Sequence, residues 1–285
     1  MKKGWKIFWI VCAVLFCTGI VFCIAGGAMG ASAREITAAL GDGIVIDADF
    51  GAGIEGSYDS DYGHHDGSEH GNPDSAVSYS GVKELDIDVA GVELEILPSW
   101  DEDVHVETEG MDSRMEYSCG QEDETLEITT VKKLRLINQL RENPRIWVYL
   151  PERELDEADI SNQAGVLYAE IIRAGELKID IGAGQGTIEE FLAQDAELVC
   201  GAGQMTASGT AFGGMDIECG VGEIDLTLEG REEDYSYSLD CGVGQVNVGE
   251  HSFSGVGHEY QENREEGREL SIDCGVGKVS VYFSE

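Results

Sequence analysis

Between Val82 and the C-terminus the chain is written in short runs of alternating apolar and polar residues. In VKELDIDVAGVELEIL, residues 82–97, Leu85, Ile87 and Val89 form one apolar set, and Val92, Leu94 and Ile96 form a second. A period of two is the signature of strands that bury one face. The alternation recurs at Val104–Val106, at Leu126–Ile128 and in RIWVYLP, residues 145–151, where Pro151 closes the run because it cannot donate to a strand ladder. Between these strands lies the basic stretch KKLRLINQLRENPR, residues 132–145. The helical spacing of its Leu134, Ile137 and Leu140 predicts a short helix or a long hairpin tip, and its charge makes it a candidate contact for a partner.

From Asp159 onward the alternation repeats. DISNQAGVLYAEI is a degenerate copy, and it is followed by LKIDIGAGQGTIEEF, AELVCGAGQMTASG, MDIECGVGEIDLTL, YSLDCGVGQVNVG and LSIDCGVGKVSVYF. The first glycine of each G-x-G falls at Gly182, Gly201, Gly220, Gly242 and Gly275, with gaps of 19, 19, 22 and 33 residues. A period near 20 residues predicts stacked supersecondary units. Within one copy Ile217, Cys219 and Val221 share a face, and Ile224, Leu226 and Leu228 share a face of opposite parity. The slip between the two sets predicts a bend at the glycines, so each copy reads as strand, glycine corner, strand and return loop.

Stacking the copies in order along the chain predicts an inward column of Cys200, Cys219, Cys241 and Cys274, continued by Ile181. That isoleucine implies a slot for a small apolar group, which a buried thiol satisfies. Disulfides between neighbouring rungs are the alternative outside the cell. Zinc fits less well, because the 20-residue spacing lacks C-x-x-C pairs. The longest gap holds the polar insertion SGVGHEYQENREEGR, expected as a surface loop over residues 254–268. Val281 and Phe283 sit on the last strand with no later rung, which predicts an open edge there and a homo-oligomer formed through it.

The first 33 residues differ from the rest. Ile7 to Ala31 carries no charge, and as a helix it would span ~38 Å, enough to cross a bilayer. Lys2, Lys3 and Lys6 precede it and no acid occurs before Glu35, so the N-terminus is expected in the cytoplasm. The reading is a single-pass signal-anchor through residues 7–31 at the cell membrane, with an extracellular C-terminal domain. The Ala31-Ser32-Ala33 triplet leaves signal-peptide cleavage as the alternative. Residues 34–81 are expected to be an acidic linker rich in Gly, Ser, Asp and His: IVIDADFGAGIEG within 34–56 reads as a first strand or a stiff stalk, and residues 57–76 cannot bury a core and read as a flexible tether. The domains are therefore 1–33, 34–81 and 82–285, and the fold class is all-β: a stacked β-strand repeat, solenoid or β-helix in kind, after one transmembrane α-helix.

Charge narrows the partners. The chain has 18 basic and 56 acidic residues, net −38. Setting aside the three lysines before the apolar run leaves 15 basic and 56 acidic residues, net −41. Such a surface repels nucleic acid and anionic lipid and attracts cations. The residue beside each column cysteine faces outward, giving Asp180, Val199, Glu218, Asp240 and Asp273. Asp180, Glu218, Asp240 and Asp273 could form an acidic stripe that holds a cation or cationic peptide. The calcium nonapeptide pattern fails, since Asp225 comes one residue late. His64, His65 and His70 in the linker are a further weak metal-binding tract. No P-loop, H-E-x-x-H or G-x-S-x-G is present, His105, His251 and His258 are scattered, and GAGQG at 182–186 is a rung corner rather than a nucleotide loop. No catalytic residue and no cofactor is therefore assigned, and a carbohydrate-active β-helix enzyme is the least favoured reading.

With its glycine-cysteine repeat, single N-terminal span and IWVYLP strand, the chain resembles the adhesin-labelled, β-strand-repeat domain of unknown function in cell-envelope proteins of Gram-positive bacteria. The resemblance covers residues 82–285. It implies stacked β-rungs and an envelope setting, with some relatives linked to envelope stress and cationic antimicrobial peptides, and it supplies no site residues. Together these readings give a non-enzymatic, membrane-anchored interaction module for an envelope component, or an electrostatic sensor or sink for cationic peptides or metal ions.

Overall fold

A computed structural model of the chain describes residues 75–111, 113–130, 144–264 and 267–284. The expected transmembrane helix, the histidine tract and most of the basic stretch at 132–145 lie outside these residues. Twelve strands account for almost all of the described chain: β1 (Ser75–Tyr79), β2 (Glu84–Val89), β3 (Val92–Pro98), β4 (Val104–Glu109), β5 (Ser118–Glu122), β6 (Thr125–Thr129), β7 (Arg145–Leu150), β8 (Leu155–Ala211), β9 (Gly214–Glu229), β10 (Tyr235–Val248), β11 (His251–Glu262) and β12 (Arg268–Ser284). β1 falls within the stretch expected to be linker, so among the described residues strand structure is present from Ser75, ahead of Val82.

The repeat becomes a sheet creased along a corner. β8 is one continuous extended run that holds the first three copies, and each copy bends at its glycines. β2 and β3 are the two halves of a further rung. β2 pairs in parallel with β8 from Glu84↔Glu157 to Val89↔Asn162, and β3 pairs with β8 from Val92↔Gly165 to Ile96↔Ala169. The break between them is the corner at Gly91, whose φ of +74° suits glycine. The inner faces of both walls meet in one core that runs from Leu85 and Ile87 through Leu167, Ile181 and Phe191 to Leu226, Val246 and Ile272.

The column does not follow the chain. The neighbour order is β8, β9, β12, β10, β11. β12 pairs in parallel with β9 on one side, Cys274↔Cys219, and with β10 on the other, Cys274↔Cys241. The last repeat is thus inserted between the two before it, and the column runs Cys200, Cys219, Cys274, Cys241. This corrects two expectations. Val281 is not on an open edge, because β12 is paired with β9 along its length and with β10 as far as Val281; Phe283, beyond that point, is paired with β9 alone. The insertion is not a loop, because most of it is β11, which pairs antiparallel with β10 from Val248↔His251 to Tyr237↔Glu262.

The inserted order has a local cause. The β10–β11 hairpin turns within Gly249 and Glu250, with Gly249 at φ +55°, a tight turn that forces β11 alongside β10 on its far side. The chain then returns beneath the start of β10. Ser236 pins that return twice, its Oγ donating to the Arg264 carbonyl (3.1 Å) and accepting from the Arg264 N–H (2.8 Å). Arg268 lies over the Tyr235 ring at 4.1 Å and donates to the Glu229 carbonyl, which guides β12 into the slot beside β9. β11 closes the stack: Phe253 packs against the core, 4.6 Å from Tyr260, with Tyr237 behind them. An aromatic end strand with a polar outer side does what a capping repeat must do.

Candidate functional site

Each G-x-G corner serves the close approach of rungs. A Cβ on Gly182 would lie 2.6 Å from the Gln163 carbonyl oxygen, one on Gly201 2.6 Å from that of Gly182, and one on Gly220 2.5 Å from that of Gly201. The lane continues through Gly275, 2.7 Å from the Gly220 carbonyl, to Gly242, 2.6 Å from that of Gly275. The second glycines form a parallel lane, Gly165, Gly184, Gly203, Gly222, Gly277 and Gly244, in which the approach is closer still. Both glycines are therefore steric requirements of the stack. The residue between them is not inward. Val221, Val276, Val243 and Val256 align as register partners and stand out at the crease as an exposed apolar ridge, so Val221 does not share the face of Cys219.

The column cysteines are buried free thiols. Burial raises the thiol pKa of Cys200 and Cys241, and Cys274 is raised by its hydrogen bond with Cys219 and by burial, whereas Cys219 is lowered by that same hydrogen bond against its own burial. A thiol held protonated in an apolar slot is inert, which fits a packing role. At the start of the column stands Asn162, 1% exposed, whose Nδ2 donates to the carbonyls of Val92 and Val166.

Outward of the column the strand order brings carboxylates together. The lateral row reads Asp180, Val199, Glu218, Asp273, Asp240 and Glu259. Four of them, Glu218, Asp273, Asp240 and Glu259, are consecutive register partners about 4.8 Å apart. The inserted strand thus makes the stripe denser than chain order predicts, and β11 adds Glu259, which the sequence did not single out. The Asp273 carboxyl lies above its ordinary pKa, chiefly from burial and then from the charge of Asp240. The flanking row holds Asp159, Lys178, Glu197 and Asp216, where the one lysine bridges to Glu197 at 3.1 Å. Ser238, Asp240, Glu259, Gln261, Ser271 and Asp273 line a shallow depression on this wall. Among the described residues no three of His, Cys, Asp and Glu converge as a metal site. The row is a charged surface rather than a chelate.

A second cluster was missed entirely. Ser78 on β1, His105 on β4 and Tyr149 on β7 are lateral register partners. Ser78 Oγ is 2.7 Å from His105 Nδ1, and Asp101 Oδ1 is 2.8 Å from His105 Nε2. The Asp101 carboxyl is held below its ordinary pKa, first by the hydrogen bond from His105 and then by the backbone N–H of Asp103. As a carboxylate it only accepts, so Nε2 carries a proton and donates to Asp101, while Nδ1 shares a hydrogen bond with the Ser78 hydroxyl. Trp100 lies on this imidazole, centroids 4.1 Å apart and planes at 21°, and its edge meets Tyr149 at 5.1 Å. The only sequence sign was WDEDVH, where Asp101 and His105 stand four apart across a turn. Ser78 joins through cross-strand pairing that no local pattern announces. The order hydroxyl, imidazole, carboxylate is also that of a nucleophile relay, yet acyl transfer needs donors aimed at an oxyanion as well. Among the described residues, the hydrogen bonds at Ser78 and His105 form that relay.

The creased, glycine-cornered sheet is that of a β-repeat domain, and residues 82–273 match the Toastrack DUF4097 family; the chain belongs to that family. Among solved structures, a candidate cell adhesion protein from Clostridium sporogenes is 17% identical with a TM-score of 0.39, the match covering 75% of this chain and 100% of that one. A candidate adhesin from Bacteroides fragilis is 17% identical at a TM-score of 0.34, covering 73% and 97%. One from Parabacteroides distasonis is 12% identical at 0.29, covering 74% and 95%. No curated protein matches the chain.

Proposed function

We propose that this Toastrack chain is a non-enzymatic interaction module, held at the outer face of the cell membrane by residues 7–31, whose acidic wall is its contact surface for a cationic partner. The observation that carries the reading is the row Glu218, Asp273, Asp240 and Glu259, four neighbouring acids with no lysine or arginine among them. Like charges in register cost stability. Here the order of the strands concentrates them at one end of the wall, an arrangement that folding alone does not require. A regular carboxylate ladder suits an extended cationic polymer or peptide, since successive positive groups can each meet one acid.

The test is titration of the purified chain with cationic peptides and with cell-wall fragments at low and high salt. Binding of the peptides that fades at high salt and is weakened by Asp240→Asn with Asp273→Asn supports the reading. Binding of a wall fragment that ignores both salt and these substitutions would instead assign the module to a specific envelope component recognised elsewhere on its surface.

A further inference from the structure

The corner residues grow along the stack. In stacking order they read Ala183, Ala202, Val221, Val276, Val243 and Val256. The last four stand out as a ridge, three of them 43–49% exposed and Val256 81%. Glycines on both sides leave them unshielded. Three residues along each strand from its valine stands an acid of the wall, Glu218, Asp273, Asp240 or Glu259. The same four rungs thus carry an apolar row and an acidic row side by side, one residue of each per rung and ~4.8 Å from rung to rung. The complement is a segment that repeats apolar and basic groups at that spacing.

KKLRLINQLR, residues 132–141 of this chain, has that pattern. Leu134, Ile137 and Leu140 recur every third residue, and Lys132, Arg135 and Arg141 fall on a second three-residue register, with Lys133 beside them. On a helix, positions three apart have Cβ atoms ~5–6 Å apart, close to the rung spacing, whereas same-face positions of a strand are ~6.6 Å apart. The attachment of this segment decides which copy it can serve. It leaves at Thr130 and returns at Pro144, both held at the rung of β6 and β7: the Thr130 N–H donates to the Asp88 carbonyl, and the Glu93 N–H donates to the Pro144 carbonyl. Five rung steps, ~24 Å, separate that rung from Val221, and eight, ~38 Å, separate it from Val256. The 13 residues between Thr130 and Pro144, tied at both ends, reach out no more than about 25 Å even when fully stretched. They cannot lie along their own ridge. The ridge of another copy is not subject to this limit.

We propose that the valine ridge and the acidic row together dock residues 132–141 of a second copy of this chain, so that copies join head to tail. The inference rests on the acidic wall being a contact for a cationic partner, and it names that partner. Each copy keeps a free basic segment at one end of the stack and a free ridge at the other, so the contact is heterologous and extends into a ring or a filament. Eight side chains from four rungs are fewer than the roughly 20–30 residues a side of a standard interface. The contact is therefore weak and reversible, with a Kd of about 10–100 μM.

The experiment uses two variants of the full chain, purified in detergent. One carries Lys132→Glu, Lys133→Glu, Arg135→Glu and Arg141→Glu and keeps its ridge. The other carries Val243→Gln and Val276→Gln, at exposed positions, and keeps its basic segment. In analytical ultracentrifugation the unaltered chain should assemble beyond a dimer as its concentration rises through about 10–100 μM, and each variant alone should associate about tenfold more weakly or not at all. An equimolar mixture of the two should form a complex of one copy of each and nothing larger, because it contains one intact ridge and one intact segment per pair. A free peptide of residues 131–143, added in excess, should return the unaltered chain to its smallest species, a readout that needs no variant. The proposal is overturned if the unaltered chain does not assemble, if either variant alone assembles as the unaltered chain does, if the mixture gives no one-to-one complex while both variants melt normally, or if the peptide leaves the assembly intact. Nona-arginine separates this inference from the function on which it rests. If nona-arginine binds the chain and Asp240→Asn with Asp273→Asn weakens it, but the chain does not assemble, the head-to-tail contact falls and the cationic contact surface stands; if neither occurs, both fall.

Discussion

Cys274 lies in register with Cys219 on the neighbouring parallel strand, although the repeat that carries Cys241 separates them in the chain. The final strand therefore belongs to the middle of the stack, and its ladder to β9 extends from Glu269↔Gly214 to Ser284↔Glu229.

Removal of residues 268–285 tests that position. In a solenoid stacked in chain order, loss of the last repeat would shorten the stack and leave the rest cooperative. Here it opens the ladders of β9 and β10 at once and takes Leu270, Ile272, Val279 and Val281 out of the core. The truncated chain is expected to lose its cooperative thermal transition and to aggregate through the unpaired strands, as read by circular dichroism and light scattering.

Gly222→Ala should be among the most damaging single substitutions. Its Cβ would meet backbone of Gly203, which cannot move without parting the rungs. A loss of about 3 kcal/mol is expected in denaturant unfolding. The same change at Gly120, where the added Cβ meets nothing within 4 Å, should cost far less.

The cysteine slot is predicted to want an apolar group rather than a thiol. Cys274→Val should cost less than about 1.5 kcal/mol, whereas Cys274→Ser, which buries a hydroxyl, should cost about 1–3 kcal/mol. In native labelling with a maleimide followed by mass mapping, Cys200, Cys219, Cys241 and Cys274 should stay unmodified until the chain is unfolded.

Asp273 should make the wall sensitive to acid. Its carboxyl is raised above the ordinary 3.8, so the folded state binds more protons than the unfolded state in the window between 3.8 and the raised value. The cost of its charge is fully present above that window and disappears as pH falls through it. Asp273→Asn is therefore expected to raise the melting temperature at neutral pH and to give no advantage below the ordinary carboxylate range. The gain should be under about 1 kcal/mol, since the carboxyl is only partly withdrawn from solvent, and should shrink with salt. An equal gain at both pH values would show that charge is not the cause.

What the sequence by itself determined was local: most of the strands, though not β1 or β11, where each rung turns, and which residues face inward, Val221 excepted. Period-two alternation and glycine spacing report on residues a few positions apart, and those relations survive any stacking order. The order itself was not legible. Copies around Cys219, Cys241 and Cys274 are nearly interchangeable as ladder partners, so nothing in their own residues distinguishes consecutive stacking from insertion. The tight turn at Gly249, the Ser236–Arg264 hydrogen bonds and the aromatic cap of Phe253 and Tyr260 decide it, and these are contacts between segments. The same cause separates the two candidate sites. The acidic row was foreseeable in part because its acids recur with the repeat, but its density came from insertion and from Glu259 on an antiparallel strand. The cluster around His105 was invisible because Ser78, His105 and Tyr149 meet only when β1, β4 and β7 lie side by side, a pairing fixed by tertiary structure.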